Sequence, residues 1–532
     1  MASILRTLQI EALPGNSCQK TAILINPPVY DTQYWAEWSQ PYGLLRIASL
    51  LRAKGYRCIE LFDFMETDER RKAPARRISS DESYDERDKP STPLRRVVIQ
   101  KGAERLELNK YHFGKSWREF EQWLDAQGFA PSNPPNEIWI SAMMTYWWES
   151  VRDLTVRLKR RFGDRITILL GGIYPTLAPE HAAIMTSADI VVAGEVPEAN
   201  ELWTDLSLYE KPPSYAIITP SRGCPYNCAY CAQKALNACS PRVAFRRADD
   251  VVAEIRDKYE RYGIRDFAFY ADFLLWDWEH NLGKVLEQVV QERLPLRLHA
   301  PEGLDTRFLS KNPRLLHLMK AAHFEKIYLP LESIDESHLR ALSRQHVRLE
   351  HFVKAARMCE EAGFRLRNLE VNAFVLYGLP EERIDHVVKT VLFASEMVGS
   401  IIPMLFAPVP SSGLYSQYLP YLQAHGWDRD LHMLNGKLYP FLEMNEGSLH
   451  DYIDLQRLMY MLNTHYRSRS FQVYGDSAVA QAFRANLSNG FQEFVEAHTA
   501  PVQLSELPRT SSADDRENPL SEVLADPAAH LN

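Results

Sequence analysis

The chain has 532 residues, 45% of them apolar, and a formal net charge of −8: enough length for two or three domains, but no basic character suited to nucleic acid. Seven cysteines, an odd number, argue against a disulfide framework and for a reducing compartment. Because residues 1–20 lack a secretory signal and no apolar run could span a bilayer, we expect a cytoplasmic enzyme with no membrane span.

Strand-like and helix-like patterns alternate from residue 21 to residue 193. Apolar spacing predicts helices at 44–54 and 150–162, between short apolar runs that are typical of buried strands. Such alternation predicts a parallel, doubly wound sheet, on which ligands bind beyond the carboxyl ends of the strands. The predicted strands are 21–25, 58–62, 137–141, 166–170 and 189–193, and the segments expected around the crevice are 26–31, 141–148, 171–179 and 194–195.

A charged segment interrupts this sheet at residues 66–117. Residues 66–96 are dense in charges of both signs and contain several prolines, so we expect them to bury little apolar area. The segment is predicted to be a surface insertion, partly disordered. A lid over the substrate is the alternative, because long loops in compact domains are often functional.

Three cysteines follow the next apolar run, at positions 224, 228 and 231 of the stretch Ser-Arg-Gly-Cys-Pro-Tyr-Asn-Cys-Ala-Tyr-Cys. Thiolates this close together on a loop suit an iron–sulfur cluster or zinc. Zinc would need a fourth ligand, and the nearest cysteine, Cys239, has no His-x-x-x-His partner. Three thiolates would leave one iron of a four-iron cluster open to a small molecule. A structural zinc or three unrelated thiols remain the alternatives, and we expect Cys239 and Cys359 to be ordinary thiols.

The Cys-x-x-x-Cys-x-Tyr-Cys arrangement resembles the signature loop of the radical S-adenosylmethionine (SAM) superfamily, with Tyr230 at the aromatic position. The resemblance implies that Cys224, Cys228 and Cys231 hold a [4Fe–4S] cluster whose open iron takes the amino and carboxylate groups of SAM. It also implies that one electron, from an external donor of the flavodoxin or ferredoxin type, cleaves SAM to a 5′-deoxyadenosyl radical.

A second run of strand–helix units begins at residue 215, after a linker at 211–214 that contains two prolines. Six such units predict an open, partial (βα)6 barrel, the form that the resemblance implies, with its chemistry at the carboxyl ends of the strands. The predicted strands are 215–219, 266–271, 296–300, 326–331, 370–376 and 400–406, and the predicted helices are 249–262, 279–292, 312–322, 349–361 and 383–398.

The ends of these strands resemble the SAM-binding positions of the family. Asp272 follows the second strand, where the family places an acidic or polar group near the SAM amino group. Glu332 and Ser333 end the fourth strand in Leu-Pro-Leu-Glu-Ser, which resembles Gly-Ile-Glu-Ser with Pro330 in place of the glycine. A carboxylate there could accept hydrogen bonds from the SAM ammonium or ribose. The turns at 377–382 and 408–413 resemble the adenine-side turn and the last-strand turn of the family.

Other side chains at the same mouth have two interpretations. His299 and Glu302 end the third strand, where each has either a direct acid–base role or an ordinary packing or surface role. Several aromatic residues lie where a corrin or a flat substrate could be covered, with packing as the alternative. They are Tyr146, Trp147, Trp148, Trp276 and Trp278.

The first sheet resembles the cobalamin-binding domain that often precedes a radical SAM domain. In that domain the third strand ends in Ser-x-Leu and the fourth in Gly-Gly, where small side chains let the nucleotide tail pass close to the backbone. Here Ser-Ala-Met at 141–143 and Gly-Gly at 171–172 stand at these two ends, and the second loop resembles Gly-Gly-x-His-x-Thr. The cobalamin-binding residues that the resemblance implies are Ser141, Gly171, Gly172, Tyr174, Thr176, Gly194 and Glu195.

The Asp-x-His-x-x-Gly motif, which supplies a histidine ligand to cobalt in related domains, is absent. After the first predicted strand the chain reads Asn-Pro-Pro-Val-Tyr-Asp at 26–31. Bound cobalamin should therefore have no histidine ligand, with Tyr30, Met144 or Tyr146 near its lower face. The alternative is a domain that has lost the cofactor and serves as a scaffold.

Over residues 20–415 the resemblance implies a cobalamin-dependent radical SAM enzyme, in which methylcobalamin methylates an unactivated carbon of a small-molecule or peptide substrate. The alternatives are a radical cyclisation or rearrangement on the same fold, with or without cobalamin, and a non-enzymatic iron–sulfur redox sensor. The predicted organisation is a cobalamin-binding-like domain at 1–211, a radical SAM barrel at 212–429, a helical region at 430–499 and a disordered tail at 500–532.

Overall fold

The computed structural model describes residues 2–12, 20–35, 38–56, 58–66, 77–78, 94–237, 243–344, 346–366, 369–465 and 477–488. The predicted tail at 500–532 and most of the charged segment at 67–93 lie outside these described residues. No helix in the described part of the chain is long and apolar enough to cross a membrane.

The first part of the chain is built on a sheet of six parallel strands. Its order is β5-β2-β9-β10-β11-β1, so the five expected strands and their parallel pairing are confirmed, and β1 adds an edge strand. Its central strand β2 is apolar almost throughout because helices cover both faces of the sheet. The strands of this part are β1 Ser3–Leu5, β2 Thr21–Asn26, β3 Val29–Asp31, β4 Tyr34–Trp35, β5 Cys58–Asp63, β6 Arg77–Ile78, β7 Arg95–Lys101, β8 Glu104–Phe113, β9 Glu137–Ser141, β10 Thr167–Gly171 and β11 Ile190–Val192.

Five α-helices accompany these strands, and local sequence explains how the second of them begins. Ser116 and Glu119 form a reciprocal capping box at its start, which satisfies two backbone N–H groups that have no partner within the helix. The helices are α1 Tyr42–Ala53, α2 Trp117–Ala126, α3 Trp148–Phe162, α4 Ile173–Leu177 and α5 Pro179–Met185, with short 3-10 helices at 145–147, 163–165, 197–199 and 206–208.

Residues 94–113 differ from the surface insertion that composition predicts. β7 pairs with β8 as a hairpin, and β8 continues onto β3. Val97, Ile99 and Lys110 are buried, so the hairpin is part of the core. Apolar and charged residues alternate along both strands, which is the pattern of a half-buried strand and is hidden when only the total charge is considered.

The second part of the chain forms the predicted partial barrel. Its six parallel strands lie in two sheets of three, β12-β15-β16 and β17-β18-β19. Leu298 of β16 bridges the two sheets, since its N–H donates to the His323 carbonyl and its carbonyl accepts from the Glu325 N–H. The strands are β12 Tyr215–Ile218, β13 Ser221–Arg222, β14 Ala244–Phe245, β15 Asp266–Phe269, β16 Arg297–His299, β17 Ile327–Glu332, β18 Val371–Tyr377 and β19 Ser400–Leu405.

Helices cover the outside of this barrel. The glycine after α7, Gly263, adopts a left-handed conformation that ends the helix, and Pro313 at the first position of α10 starts another. All five predicted helices of this part are present, although the second and third begin a few residues later or end earlier. The helices are α6 Gln233–Leu236, α7 Ala248–Tyr262, α8 Leu282–Gln291, α9 Thr306–Leu309, α10 Pro313–Ala321, α11 Glu336–Ala341, α12 Leu349–Glu361 and α13 Ile384–Met397.

The described residues of the C-terminal region, 430–465 and 477–488, are largely helical, as predicted. The side-chain amide of Asn463 accepts from the Ile401 N–H and donates to the Ile401 carbonyl, both at 2.8 Å, so α16 lies along the outer edge of β19. The helices are α14 Gly413–Gln417, α15 Leu419–Ala424, α16 Leu449–His465 and α17 Ala478–Ser488, with 3-10 helices at 431–434, 436–438 and 442–444.

The two parts share their hydrophobic cores. Leu342, Leu379, Phe406 and Leu414 from the second part pack in the same buried cluster as the first sheet. The carboxyl ends of the barrel strands are therefore held against the first sheet by apolar contact as well as by the chain connection.

Candidate active site

The three cysteines lie on a loop that is closed at its base. β13 pairs antiparallel with β14, and the cysteine loop, described over residues 223–237, follows β13 beyond the end of β12. The Gly223 N–H donates to Asp272 Oδ2 at 2.6 Å, and the Asn237 amide donates to the same oxygen at 3.0 Å. Asp272 follows β15, so the neighbouring strand fixes the start and the end of the loop.

Two other segments fix the middle of the loop through its backbone. The Ala229 N–H donates to the Leu342 carbonyl at 2.9 Å, and the Ala229 carbonyl accepts from the Leu414 N–H at 2.7 Å. Gly413 permits this approach, because a Cβ at that position would lie 3.1 Å from the Ala229 carbonyl oxygen. The turn at 408–413, predicted to be near the site, therefore contacts the cysteine loop directly.

The thiols of the loop differ in exposure but influence one another. Cys224 and Cys228 are half-buried and Cys231 is exposed. Burial, with the nearby Cys228 and Cys231, raises the pKa of the Cys224 thiol to about 12. Cys231 is exposed as a residue, but the protein around its thiol partly excludes water, and this desolvation raises its pKa as well. A positively charged metal centre would reverse these shifts by favouring the thiolates. Cys239 lies outside the described residues.

The loop supplies three thiols within the described residues. No group of three His, Cys, Asp or Glu side chains in the described part of the chain forms a ready-made site for a single metal ion. A structural zinc is held by four protein ligands in tetrahedral geometry.

Glu332 lies beside the cysteine loop and already has partners in the protein. Its Oε1 atom accepts from Nη2 of Arg344 at 2.7 Å and from the Tyr230 hydroxyl at 3.3 Å. The Arg344 guanidinium also donates to the sulfur of Cys228, over 3.6 Å. Glu332 has a positive φ of 61°, at a bulge where β17 shifts register against β18. Tyr230 is thus placed by its hydroxyl as well as by its ring.

A cavity of about 370 Å³ adjoins Glu332 on the side of β18. Ser333 lies on its wall and is buried, and its hydroxyl accepts from the Asp335 N–H at 3.1 Å. The apolar part of the lining includes leucines from both segments that hold the cysteine loop. Residues of the lining include Glu332, Ser333, Leu342, Leu376, Leu379 and Leu414.

The turn after β18 is organised by a buried carboxylate. The Gly378 N–H donates to both oxygens of Glu382, at 2.9 and 3.0 Å, and the Tyr452 hydroxyl donates to Oε1 at 3.0 Å. Burial raises the pKa of Glu382 to about 7, although these hydrogen bonds lower it. Glu382 therefore shapes the adenine-side turn, and no sequence motif distinguishes it from its exposed neighbour Glu381.

Glu302 faces the space inside the mouth. Its side chain is in contact with that space, but the surrounding protein limits its hydration. This desolvation and the nearby Asp272 carboxylate raise the pKa of Glu302 to about 8. Tyr42, at the start of α1, lies close enough that Glu302, Asp272 and Arg222 all affect its hydroxyl. The first part of the chain thus contributes a phenol to the wall of the barrel mouth.

His299 has a structural partner rather than a free position at the mouth. Its Nε2 atom lies 3.2 Å from Asp266 Oδ1, and its ring packs on Trp38 with centroids 4.6 Å apart. Asp266 stands at the start of β15, away from the carboxyl ends. The packing interpretation of His299 is therefore favoured over an acid–base role.

The aromatic residues divide in the same way. Trp148 and Trp278 are buried in hydrophobic clusters, and the Trp147 indole donates to Asp31 Oδ2 at 2.9 Å. Trp276 is partly exposed but packs beside Phe308. The packing interpretation is therefore favoured for these four tryptophans. Of the five aromatic residues, the half-buried Tyr146 is the one that could still cover a ligand at the crevice of the first sheet.

The residues expected to bind cobalamin come together at the ends of β9, β10 and β11, but several are already engaged. Gly171 pairs with Ser141 across the two strands. A Cβ on Gly172 would lie 2.5 Å from the Ala142 carbonyl oxygen, so backbone, rather than an open groove, fills that space. The role of Gly172 beside a nucleotide tail stays a prediction, and the close backbone is a separate reason for glycine at this position.

The following loop is also internally bonded. Tyr174 is fully buried, with its hydroxyl 2.8 Å from His181 Nδ1, and the Thr176 hydroxyl donates to the Gly172 carbonyl at 2.7 Å. Gly194 packs against the end of β1, where a Cβ would lie 2.8 Å from the Arg6 carbonyl oxygen. Tyr174, Thr176 and Gly194 therefore shape the edge of the sheet, and their contact with a ligand stays a prediction.

Residues after β2 are covered by the C-terminal segment. Asp31 is buried and accepts from the Asn435 amide at 3.1 Å and from Lys437 Nζ at 2.9 Å. Burial alone would raise the pKa of Asp31, but Lys437 and the hydrogen bond from Trp147 lower it. Tyr30 is buried too, and its hydroxyl donates to Asp153. Its closeness to a cobalt ion stays a prediction.

A buried ion pair connects the first sheet to the cysteine loop. Glu195, after β11, has its Oε1 atom 2.8 Å from Nε of Arg222, and the Asn200 amide donates to the same oxygen at 3.3 Å. Arg222 also donates to the Asn237 amide oxygen within the loop. Glu195 is thus placed at the crevice as predicted, but its nearest partner is a protein side chain.

Three residues of the site had no role in the sequence-based interpretation. Arg222 lies two positions before Cys224, so a basic residue beside the motif was a usable signal. Arg344 and Tyr42 are far from any motif and reach the site only because the chain folds back to it. No spacing in the sequence could have indicated them.

Comparisons with known proteins agree with this geometry. A family profile described as the radical SAM superfamily matches residues 218–394, which include the cysteine loop and strands β15 to β18. The match confirms the resemblance that the cysteine spacing suggests.

Two curated proteins are similar to parts of the chain. Hopanoid C-2 methylase from Rhodopseudomonas palustris (strain TIE-1) is 24% identical over 176 residues, which are 30% of this chain and 29% of that protein. An uncharacterized methyltransferase from Pyrococcus horikoshii is 21% identical over 183 residues, which are 34% of this chain and 37% of that protein. The matching segments thus span about a third of the length of these relatives.

Among solved structures, the chain is similar to the radical S-adenosylmethionine methyltransferase TsrM from Kitasatospora setae, in a structure with cobalamin and a [4Fe–4S] cluster bound. The TM-score is 0.53 at 13% identity, over 76% of this chain and 75% of that one. At this level of identity the likeness establishes the fold, a parallel α/β sheet followed by a partial barrel.

Proposed function

We propose that this chain, whose residues 218–394 match the profile of the radical SAM superfamily, is a cobalamin-dependent radical SAM enzyme that methylates an unactivated carbon of a small-molecule or peptide substrate. The position of the cysteine loop carries the proposal. The loop lies where the ends of the barrel strands meet the end of β11, at the Arg222–Glu195 contact. A group bound on the first sheet would therefore face a group bound on the loop.

The residues of the loop fit a [4Fe–4S] cluster with SAM beside it. Cys224, Cys228 and Cys231 would hold the cluster, because the three thiols lie on one loop whose backbone is fixed from three sides. The cavity of about 370 Å³ next to Glu332 and Ser333 would take the adenosine part of SAM. Its lining combines leucines with carboxylates and hydroxyls, which suits a flat base with a ribose.

The edge of the first sheet fits cobalamin at fewer positions than the sequence suggests. The part of the crevice that remains open is lined by Ser141 and Gly171 and by the partly exposed Met143, Met144 and Tyr146. The segment 26–31, at the end of β2 and beyond it, contains no histidine. Residues 435–437 cover this segment. Cobalamin would thus lie against thioether and phenol side chains, without a histidine on cobalt from that segment.

When bound, the cluster supplies the electron that cleaves SAM, and cobalamin supplies the methyl group. The residues of the chain bind, orient and exclude water. Asp272 holds the cysteine loop by two hydrogen bonds, and Glu332 positions Tyr230 and Arg344 beside it. Glu302 holds its proton near neutral pH because burial raises its pKa, so it can donate a hydrogen bond inside the mouth.

Further features of the proposal follow from composition. An electron donor of the flavodoxin or ferredoxin type, a reducing cytoplasmic location and the absence of a nucleic-acid partner agree with the odd number of cysteines and the net charge of −8.

The test is anaerobic reconstitution of the full chain with iron, sulfide and hydroxocobalamin, followed by incubation with reductant and methyl-deuterated SAM. We expect iron, sulfide and cobalt in the ratio 4:4:1, formation of 5′-deoxyadenosine, and deuterated methyl groups on cobalamin. Iron and 5′-deoxyadenosine without retained cobalt would replace the proposal by a cobalamin-free radical enzyme, for which the closed backbone at Gly172 is the supporting observation. Tightly bound zinc without iron would refute both.

A further inference from the structure

Arg344 is placed beside the cysteine loop by a tight turn after α11. Its N–H donates to the Leu339 carbonyl at 2.7 Å, directly after Ser343, which has a positive φ of 54°. The side chain is 14% exposed, so a positive charge lies inside the protein next to the loop. An arginine remains charged at any pH that a protein tolerates.

The guanidinium contacts Cys228, Glu332 and Tyr230, and Nη1 also lies 3.4 Å from Nε2 of His346. Nη1 donates to the sulfur of Cys228 over 3.6 Å, Nη2 donates to Glu332, and the group lies over the Tyr230 ring at 5.7 Å from its centre. Its Nε atom is buried without a hydrogen-bond partner among the described residues. One donor is therefore directed at a proposed cluster ligand, and another is free for an acceptor beside it.

We infer that Arg344 is a positioning residue that raises the reduction potential of the cluster held by Cys224, Cys228 and Cys231, an inference that rests on the proposed function. Reduction adds one electron, from the external donor, to the cluster, and the guanidinium keeps its protons throughout. A hydrogen bond to a ligating sulfur and a nearby positive charge both stabilise the more negative, reduced state. Glu332 partly offsets the charge and holds the fork in the orientation that reaches Cys228.

The test compares Arg344→Gln and Arg344→Lys with the wild type after anaerobic reconstitution, by a redox titration without SAM that is followed by electron paramagnetic resonance. We expect Arg344→Gln to lose about tenfold in the equilibrium constant for reduction, which is about 59 mV for one electron. Arg344→Lys keeps the charge but loses the fork, so its potential should lie between the two. A potential equal to that of the wild type in both variants would overturn the inference.

Arg307 provides a matched control. It contacts the same loop through the ring and hydroxyl of Tyr226 instead of through a sulfur. Arg307→Gln should change the equilibrium constant by less than threefold. If it lowers the potential as much as Arg344→Gln does, general charge accounts for the effect and the specific role of Arg344 is refuted. Should Arg344→Gln fail to assemble a cluster, Arg344→Lys decides the matter: a potential below that of the wild type supports the inference, and an equal one refutes it.

The outcomes separate this inference from the proposed function. A wild type that binds no cluster would refute both. A wild type that binds the cluster and cleaves SAM but transfers no methyl group would refute the proposed function alone, because the potentials of the variants would still decide the role of Arg344. Methyl transfer with unshifted potentials would refute only the inference.

Discussion

Nε of Arg222 lies 2.8 Å from Oε1 of Glu195, and this contact joins the segment after β11 to the strand that enters the cysteine loop. The Glu195 side chain is 3% exposed and that of Arg222 is 30% exposed, so solvent screens the pair only in part. We expect Glu195→Gln to lower the free energy of unfolding by about 1–3 kcal/mol and to lower the cluster content after reconstitution. Urea denaturation and iron analysis measure the two effects.

The pair of Lys54 and Glu198 is the control for this prediction, because its carboxylate is 42% exposed. Glu198→Gln should change stability by less than about 0.5 kcal/mol. Equal stabilities of Glu195→Gln and Glu198→Gln would show that the buried contact does not hold the loop.

Replacing any one of Cys224, Cys228 and Cys231 by alanine should abolish the cluster. Each thiolate is one of three proposed protein ligands, and the spacing of the remaining two offers no substitute. Iron and sulfide analysis with the optical spectrum near 400 nm, a general marker of such clusters, measures the loss. Cys58→Ala, on β5 and outside the loop, should keep its iron. A cluster retained in any single variant of the three would contradict the ligand assignment.

Glu332→Gln and Asp272→Asn should weaken SAM binding by about tenfold or more, since a charge-assisted hydrogen bond contributes about 1.5–3 kcal/mol. Asp272→Asn should also lower cluster content, because Asp272 accepts from Gly223 and Asn237. Equilibrium dialysis with labelled SAM on reconstituted protein measures the affinity. Glu336→Gln, on the exposed side of α11, is the control and should bind SAM like the wild type. Wild-type affinity in both Glu332→Gln and Asp272→Asn would remove them from the SAM site.

Cobalamin bound at the first sheet should have no axial nitrogen from the protein. Superhyperfine splitting in the cobalt(II) resonance that changes when the protein is labelled with nitrogen-15 would refute this arrangement, because unlabelled cobalamin carries a nitrogen base of its own. Met143→Trp should block binding, because Met143 is 38% exposed at the crevice, and should leave the cluster intact. Ile184→Trp, at an exposed position on α5, is the control for the added bulk. Undiminished cobalt retention in Met143→Trp would move the corrin to another surface.

The stability of the protein should fall between pH 4.5 and pH 7 through Glu382. In the unfolded chain the carboxyl ionises near 4.5, whereas burial raises its pKa in the folded protein to about 7. Folding therefore favours the protonated form, and the stabilisation is lost as pH rises through this window and stays lost above it. Relative to Glu382→Gln, the wild type should lose about 1–3 kcal/mol, as measured by urea denaturation of the apo protein at pH 5 and pH 8.

Glu361→Gln, at the exposed end of α12, should show the wild-type pH dependence and is the control for this experiment. A wild type whose stability relative to Glu382→Gln is constant or rises over the same range would show that Glu382 is ionised in the folded protein at pH 5.

The barrel strands could be predicted from the sequence because each is a short apolar run whose outward side chains pack under helices. The hairpin of β7 and β8 could not, since its alternating pattern lies inside a segment of high total charge. β1 pairs with β11 across 185 residues or more, and a three-residue strand gives no periodic signal.

In the candidate site, too, some contacts could be predicted from the sequence and others could not. Cys224 and Asp272 follow strands and belong to short motifs, so their meeting was predictable. The contacts of Glu195 with Arg222 and of Glu332 with Arg344 depend on how loops fold back, and motif resemblance assigned both carboxylates to ligands only. The close approach of the Ala142 backbone also requires a glycine at position 172, and the motif resemblance gives no sign of this contact.

The contact between Asn463 and Ile401 has a consequence for association between molecules. A sheet edge with free N–H and C=O groups can template pairing with a strand of another molecule. At Ile401 both groups are occupied by one side-chain amide, which imitates a neighbouring strand without offering a further edge. Removing α16, or replacing Asn463 by Leu, would therefore favour edge-to-edge aggregation through β19. By covering this edge, α16 protects the barrel from self-association.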